Sequence, residues 1–409
     1  MLFEAYDEVS VLPGATNARE TLARTGLDYL EALAADPDAP QDVRLEAGLG
    51  FLRLSRVVGG GDVAELGRYA DAKALIERAE SIIAPLYAAN SDDPQVRRAM
   101  GQLLVDQTAD LLYADNDAAG ARAKAIQAQE VMRPLSRADV EAARMYAVAM
   151  QGEADSYGWD DNYEAALPRH IAADDFIANL PPALRDDVQL MRARAANSRL
   201  MGEAHHRLGH VEEARAAIDR AVDLNRAVRD TDPNNPAYTR NLAISTWYRA
   251  VVHRTNGRDE LARQSIEESV SMARILRERD PNDAGALRML AISNEVYAQI
   301  LADQGRYAES YATGSEVIAI HHDLVQRADG AAGARRSLGA ALMTHGGNSY
   351  NAGTYVRACA AWTEARDTFR ALAAADQLSA FDRSNLLAVS EDYVARACNP
   401  PGPGLDDHS

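Results

Sequence analysis

The feature of this sequence that most constrains its fold is an internal repeat with a fixed period of 48 residues. In most copies a small residue is followed four positions later by a bulkier one and three positions after that by another small one, as in Ala214-Ile218-Ala221. Five copies begin 48 residues apart, at Ala166, Ala214, Ala262, Ser310 and Ala358, and two less regular copies begin at Ala72 and Ala121. Because a fixed period is the signature of stacked repeats, we expect one array, although 409 residues alone would suggest two or three domains.

Each repeat unit is predicted to contain two helices. Apolar residues follow the 3.6-residue period of an α-helix, and Asp-Pro or glycine-containing turns separate the segments. The turn signals keep the same period, since Asp232-Pro233 and Asp280-Pro281 are also 48 residues apart. We predict helix pairs at residues 40–57 with 66–89, 94–113 with 117–133, 137–157 with 161–179, 184–208 with 210–229, 236–255 with 258–278, 283–303 with 306–327 and 332–351 with 354–375, and a lone helix at 380–397.

The small-large-small pattern resembles the second helix of a tetratricopeptide repeat. Gly202 stands twelve residues before Ala214, and Gly346 stands twelve before Ala358, where the first helix of that repeat has its glycine. Small side chains at these points allow two antiparallel helices to approach closely. The usual unit of that family has 34 residues, so each unit here is longer by about four helical turns.

This resemblance implies an all-α fold, a right-handed α-solenoid of antiparallel helix pairs in units of about 48 residues. We expect an initial segment and helix at residues 1–39, an array of about seven helix pairs at 40–378, a capping helix at 379–398 and a disordered tail at 399–409.

A more specific resemblance lies in the first ninety residues. The segments at 12–20 (LPGATNARE), 26–30 (GLDYL) and 54–72 (LSRVVGGGDVAELGRYADA) are similar to the start of the tetratricopeptide region that follows the catalytic domain in many bacterial serine/threonine protein kinases. In that family the repeats are the non-catalytic sensing or docking part. The chain therefore looks like a stand-alone version of this region or a portion of a longer parent.

The charge of the chain argues against nucleic acid as a partner. It carries 43 basic and 61 acidic side chains, a formal net charge of −18, whereas nucleic acid and anionic membranes require a surplus of Lys and Arg. Residues 1–14 lack the features of a signal peptide, and no apolar stretch of about 18 residues occurs. We expect no direct membrane insertion and a cytoplasmic location, with the extracytoplasmic part of a membrane-anchored parent as the alternative.

No catalytic, cofactor or metal site is predicted, and the chain is not expected to be an enzyme. A kinase site needs a strand lysine and a His-Arg-Asp loop, but the only lysines, Lys73 and Lys124, lie in Ala-rich second helices. The glycine run at 59–61 has no Gly-Lys-Ser/Thr sequence after it, so it is interpreted as an insertion loop and not as a phosphate-binding loop. The adjacent histidines at 205–206 and 321–322 face different directions on a helix, so we expect packed or half-exposed imidazoles.

The predicted interaction surface is the concave side of the solenoid, which first helices line. With the motif glycine as position 8, the positions expected to point inward are 2, 5, 9, 12 and 13. They select Tyr146, Glu153, Tyr157, Arg199, Glu203, His206, Arg207, Trp247, Val251, Arg254, Glu295, Gln299, Met343 and Tyr350. Arginine and aromatic side chains are common in peptide grooves, but the same set suits a solvated helix face, and Trp247 suits the core at least as well as the groove.

Two cysteines lie at nearly the same height in the last predicted hairpin. Cys359 is 19 residues before the turn expected near residue 378, and Cys398 is 20 residues after it. Two free thiols in the helix packing are the simpler interpretation, and a disulfide that closes the hairpin is the alternative.

These observations predict a non-catalytic scaffold that binds a protein or peptide partner in bacterial signalling, without a cofactor. The alternative is the regulatory or sensor portion of a bacterial serine/threonine kinase whose catalytic domain is absent from this chain. A small-molecule sensor that uses the groove is a third hypothesis. The sequence makes no prediction of the partner's identity or of the oligomeric state.

Overall fold

The computed structural model describes residues 16–35, 39–59, 68–115, 117–378 and 382–399. Three features of the sequence lie outside the described residues: the initial motif at 12–15, the glycine-rich insertion at 60–67 and the tail from residue 400.

Helices build the described chain, and no β-strand occurs within those ranges. They are α1 (Thr16–Ala35), α2 (Gln41–Val58), α3 (Tyr69–Ala89), α4 (Pro94–Tyr113), α5 (Ala118–Met132), α6 (Val140–Trp159), α7 (Tyr163–Ala178), α8 (Pro182–Arg185), α9 (Val188–Arg207), α10 (Val211–Thr231), α11 (Pro236–Thr255), α12 (Asp259–Arg279), α13 (Ala284–Asp303), α14 (Tyr307–Arg327), α15 (Ala332–Asn351), α16 (Tyr355–Ala374) and α17 (Ala388–Cys398). Most successive helices pack side by side. The fold is the all-α solenoid of antiparallel helix pairs that the repeat predicts.

Most helices begin and end within about three residues of the predicted bounds, and two differ in an informative way. The helix predicted from residue 184 is broken into the single turn α8 and the long helix α9, because Asp187 caps a new helix by accepting a hydrogen bond from the Gln189 N–H at 2.8 Å. The last helix is preceded by a π-helical turn at Arg383–Leu387, so its regular α part begins only at Ala388.

The turn between the first and second helix of a unit has the same backbone conformation in five units. The second residue after the first helix has a positive φ in each of these units, at Asp161 (58°), Gly209 (76°), Gly257 (67°), Gly305 (73°) and Gly353 (72°). Each of these positions lies 48 residues after the previous one. A side chain makes this left-handed conformation costly, whereas glycine adopts it freely. The conformation of this turn therefore explains why glycine repeats here with the period of the array.

The chain divides into two compact units, Met1–Met289 and Leu290–Ser409. In the first unit, the repeat alanines Ala166, Ala214 and Ala262 are at most 1% exposed. Their small side chains allow close helix packing, and larger residues such as Phe51 and Ile83 form the core beside them.

The second unit has a core of its own around Phe369 and Trp362. In this structure Cys359 of α16 and Cys398 of α17 are joined by a disulfide, with their Cα atoms 5.0 Å apart. The bond joins the two helices α16 and α17 and so closes the last hairpin. This is the alternative that the sequence left open.

The first helix contacts the far end of the first unit. The backbone N–H of Thr16 and its hydroxyl both donate to the Asp280 carboxylate, at 2.9 and 2.5 Å. At a neighbouring point Arg288 donates to the Tyr69 hydroxyl at 2.5 Å. The helices of this unit therefore curve far enough to bring residues more than 200 positions apart into contact.

None of the described helices combines the length and the apolar composition needed to cross a membrane.

Candidate ligand-binding cavity

The first unit contains a cavity of about 290 Å³ that is lined mainly by four first helices, α4, α6, α9 and α11. Its lining follows the helical period. On α9 the cavity residues Gln189, Arg192, Ala196 and Arg199 form one stripe. A different face of α9 packs against second helices, as at Gly202, where an added Cβ would lie 2.6 Å from Ile218. The motif glycine therefore turns one face of the helix to its partner and leaves the other to the cavity.

The charged groups of the cavity are mostly positive. Arg144, Arg192 and Arg199 line it together with a single carboxylate, Asp155, although the whole chain has a net charge of −18. An excess of positive groups in a partly enclosed space attracts anionic ligands.

Two of these arginines are oriented by neighbouring amides. Arg144 donates to the Gln102 side-chain oxygen at 3.1 Å. Arg192 donates to Gln189 at 2.7 Å, and its guanidinium lies 5.3 Å from the centre of the Tyr238 ring. Hydrogen bonds and ring contacts of this kind hold a long side chain in one position.

Arg199 lies between two tyrosine–carboxylate pairs. The Tyr113 hydroxyl donates to Asp155 at 2.8 Å, and the Tyr248 hydroxyl donates to Glu203 at 2.9 Å. The Arg199 guanidinium lies 4.9 Å from the centre of the Tyr248 ring. Each of the four first helices supplies at least one member of this cluster.

Burial shapes the protonation of the cluster. Burial raises the pKa of Asp155, and the Tyr113 hydrogen bond and the Arg199 charge oppose that rise. Tyr113 exposes 63% of its surface, and its protonated hydroxyl is the donor to Asp155.

The cavity also has an apolar wall. Val105, Val148, Leu200 and Ile244 come from the four different first helices and line the same space. A ligand that fits this cavity would therefore combine an anionic group with an apolar group.

Counting from the motif glycine as position 8 selects the residues that the sequence predicts to point inward. Of these residues, Arg199 lines the cavity and Glu203 belongs to the cluster beside it. The Trp247 ring packs on the Tyr248 ring at 4.3 Å, and its Nε1–H is buried without a hydrogen-bond partner. Further along the same helices, His206, Val251 and Arg254 are half-buried, and Arg207 is exposed with its guanidinium 5.6 Å from the Tyr163 ring centre.

The selected residues of α6 contact second helices instead of the cavity. The Tyr146 ring packs on Phe176 of α7 at 4.8 Å. Glu153 accepts hydrogen bonds from Gln129 of α5 and Arg169 of α7, at 2.7 and 2.8 Å. Tyr157 lies between two guanidinium groups, those of Arg122 at 3.8 Å and Arg169 at 4.0 Å. The cavity side of α6 is formed by Arg144, Val148, Gln151 and Asp155.

The remaining selected residues lie in the second unit and do not line the cavity of the first. Glu295 accepts a hydrogen bond from Thr344 at 2.8 Å, and burial raises its pKa. Gln299 is half-buried. Met343 and Tyr350 pack around Trp362, whose indole N–H donates to the Met343 carbonyl at 3.0 Å.

Counting from the motif glycine did not select Tyr113, Asp155 or Tyr248 as residues of the site. A usable signal was present for the arginines, since Arg192 and Arg199 are seven residues apart and so share one face of α9. No comparable signal marks the tyrosine–carboxylate pairs, whose members are more than 40 residues apart.

Adjacent histidines take different directions, as helix geometry requires. The ring of His205 contacts His210, with ring centres 5.5 Å apart, and does not reach His253, which is buried in α11. His321 is buried, whereas Nε2 of its neighbour His322 lies 3.0 Å from Glu364. In the described parts of the chain, no three His, Cys, Asp or Glu side chains are grouped to hold a metal ion.

Comparison with protein families matches residues 200–228 to the tetratricopeptide repeat. The matched segment contains Gly202 and the triplet Ala214-Ile218-Ala221, which are the residues that carried the prediction. The match therefore supports a tetratricopeptide-type repeat in this part of the chain. Comparison with curated proteins gives no match.

Several solved structures are similar to this chain. A Rap protein complexed with Competence and Sporulation Factor is 12% identical, with a TM-score of 0.52 over 97% of this chain and 98% of that one. RapI in its apo form is 10% identical, with a TM-score of 0.47 over 97% and 94% of the two chains. BtubC from P. vanneervenii is 14% identical, with a TM-score of 0.46 over 61% and 90%. At these identities the likeness shows the fold alone.

Proposed function

We propose that this protein is a non-catalytic scaffold that binds a peptide or a segment of a partner protein in the cavity of its first unit. The observation that carries the proposal is the cavity itself, about 290 Å³ in volume and lined by arginine, tyrosine and apolar side chains from four helices. Arginine and tyrosine dominate binding energy at protein interfaces, because they combine a large contact area with directed hydrogen bonds.

A role in bacterial signalling is the finer part of this proposal. It is supported by the resemblance of residues 12–72 to the repeats that follow bacterial serine/threonine kinase domains. A Rap protein complexed with Competence and Sporulation Factor has the same kind of fold, so such an array accommodates a bound factor. The alternative is the regulatory portion of such a kinase, and an in-frame kinase domain upstream of residue 1 in the gene would favour it.

The compartment bears on the choice of partner. Disulfides persist mainly in oxidising compartments, so the bond between Cys359 and Cys398 supports the extracytoplasmic alternative over the cytoplasm. Labelling intact cells with a membrane-permeant thiol reagent checks this: labelled Cys359 and Cys398 would favour the cytoplasm, and unlabelled ones the extracytoplasmic location.

The proposal is tested by selecting phage-displayed random dodecapeptides on the wild-type protein. Ala196 lines the cavity, whereas Ala216 is exposed on α10 outside it. Ala196→Trp fills part of the cavity, and Ala216→Trp is the matched control because it adds the same side chain elsewhere. We expect the selected peptides to bind Ala196→Trp at least tenfold more weakly and Ala216→Trp as tightly as the wild type. Equal binding to the two variants, or no enrichment of any peptide, would contradict the proposal.

A further inference from the structure

Arg199 is a cation in the cavity whose hydrogen-bond donors are not used by the protein. In the part of the chain that the structure describes, its guanidinium makes no hydrogen bond and no ion pair, and its contact is with the face of the Tyr248 ring. A guanidinium has five N–H donors, and withdrawing it from water without partners is costly. A ligand that supplies acceptors at this point would remove that cost.

Neither of the two nearby carboxylates forms a hydrogen bond or an ion pair with Arg199 in the described structure. Asp155 accepts from Tyr113 at 2.8 Å, and Glu203 accepts from Tyr248 at 2.9 Å. These hydrogen bonds orient both carboxylates toward the tyrosines, and neither carboxylate accepts a hydrogen bond from Arg199. The two pairs therefore frame Arg199 and leave its donors available inside the cavity.

The charge of the cavity selects the class of ligand group. Arg144, Arg192 and Arg199 outnumber the two nearby carboxylates, Asp155 in the lining and Glu203 beside it. A planar carboxylate matches the guanidinium in geometry and accepts two parallel hydrogen bonds from it. Such pairs are stronger in a partly enclosed space than at an open surface.

The remaining surface selects what carries the carboxylate. Val148, Leu200 and Ile244 form part of an apolar wall in the same cavity, and burial of apolar surface there contributes to binding. A volume of about 290 Å³ lies at the lower end of the range for ligand pockets, so there is room for a few side chains and not for a long segment.

We propose that Arg199 binds a carboxylate of a peptide ligand whose neighbouring side chains are apolar. The carboxylate is either the C-terminus or an Asp or Glu side chain, and both present the same group to the guanidinium. This inference rests on the proposed function, because it specifies which peptides the cavity binds.

The test uses three equimolar pools of acetylated hexapeptides built from Ala, Val, Leu and Phe. The first pool ends in an amide and is uncharged, the second ends in a free carboxylate, and the third ends in an amide but contains one Glu. Retention on the full-length protein is measured by affinity selection and mass spectrometry. We expect the uncharged pool to be retained at least tenfold less than one of the carboxylate pools, and the better pool identifies the source of the carboxylate.

Variants of Arg199 complete the test. Arg199→Gln removes the charge and is expected to abolish the preference for carboxylates, while Arg199→Lys keeps the charge without the paired donors and is expected to retain part of it. The matched control is Arg215→Gln on α10, which removes an exposed arginine that is paired with Glu212 at 2.7 Å, and it is expected to keep the full preference. Circular dichroism checks that each variant is folded.

The outcomes separate the two proposals. Equal retention of all three pools by the wild type would overturn the carboxylate inference and leave peptide binding standing. A carboxylate preference that survives in Arg199→Gln would overturn the assignment to Arg199. If no pool is retained and phage selection also enriches no peptide, the proposed function fails together with the inference.

Discussion

At the scale of single residues, the repeat position of His170 holds a buried histidine whose pKa is strongly lowered. The corresponding positions of the next two units carry isoleucine, at Ile218 and Ile266. His170 is only 2% exposed, and its Nδ1 lies 2.9 Å from the Asn197 side-chain oxygen. The Asn197 amide nitrogen donates to the His170 carbonyl at 2.8 Å, which fixes the amide orientation. The ring is therefore neutral, and its Nδ1–H donates to Asn197.

This environment predicts a loss of stability in mild acid. Burial lowers the pKa of His170 from 6.5 to about 4, and the hydrogen bond to Asn197 only partly opposes this. Between these two values the unfolded chain binds a proton that the folded protein does not. The contribution of His170 to the free energy of unfolding should therefore fall by about 3 kcal/mol as the pH drops from about 6.5 to about 4, and change no further below that.

Urea unfolding between pH 7 and pH 4 checks this prediction. His170→Gln keeps a hydrogen-bonding side chain but does not titrate, so it should lose about 3 kcal/mol less than the wild type over the same range. The same pH dependence in both proteins would show that His170 is not the group responsible.

At the scale of helices, the motif glycine sets the distance between the two helices of a unit. In the second unit, a Cβ at Gly346 would lie 2.4 Å from the Trp362 ring. That ring is 3% exposed and is held by its hydrogen bond to Met343 and by Tyr350 and Tyr393, whose ring centres lie 5.4 and 4.7 Å away. The ring cannot move aside without breaking these contacts.

Gly346→Ala is therefore expected to destabilise the protein by about 1–3 kcal/mol through overpacking. Alanine favours helix more than glycine does, by about 1 kcal/mol, but that gain is smaller than the cost of displacing the indole. The adjacent Gly347 is a matched control, because no atom lies within 4 Å of an added Cβ there. Gly347→Ala should leave the stability unchanged or raise it by up to about 1 kcal/mol. The prediction is checked by measuring the thermal unfolding midpoints of the two variants. Equal midpoints would argue against close packing between Gly346 and Trp362.

The helices themselves could be predicted closely from the sequence, because each depends on local signals. The period of apolar residues places the helix, and the positive-φ turn places glycine at 209, 257, 305 and 353. The cavity side of α6 could not be predicted in this way. Arg122 and Arg169 on neighbouring second helices engage Tyr157, and that packing rotates a different face of α6 toward the cavity.

At the scale of the whole array, the contact between the two ends of the first unit depends on one carboxylate. Asp280 accepts both hydrogen bonds from Thr16, the first residue of α1. A negative charge at the start of a helix is stabilising, because the free N–H groups and the helix dipole are positive there. Asp280 therefore holds α1 against a segment that follows it by 264 residues.

Asp280→Ala is expected to loosen α1 while the rest of the unit stays folded. Two hydrogen bonds and a favourable charge are lost, which should lower the local stability of α1 by about 1–2 kcal/mol. Hydrogen–deuterium exchange should become roughly tenfold faster in the amides of α1.

The repeat itself supplies the control for this experiment. Asp232 lies one period before Asp280 and makes the same local turn, with its side chain accepting from the Asn234 N–H at 3.2 Å as Asp280 accepts from Asn282 at 3.1 Å. Asp232→Ala removes that turn and should leave α1 unchanged. Equal acceleration in both variants would assign the effect to the turn and not to the contact with α1.

The sequence by itself determined the period, the helices, the glycine turns and the small residues at the helix contacts, because each follows from interactions within one unit. Only the tertiary structure decided which faces enclose the cavity, that Tyr113 and Tyr248 engage Asp155 and Glu203, and that α1 reaches Asp280. These features depend on the rotation of each helix pair relative to the next. Small rotations accumulate along the array, so no local pattern of residues specifies them.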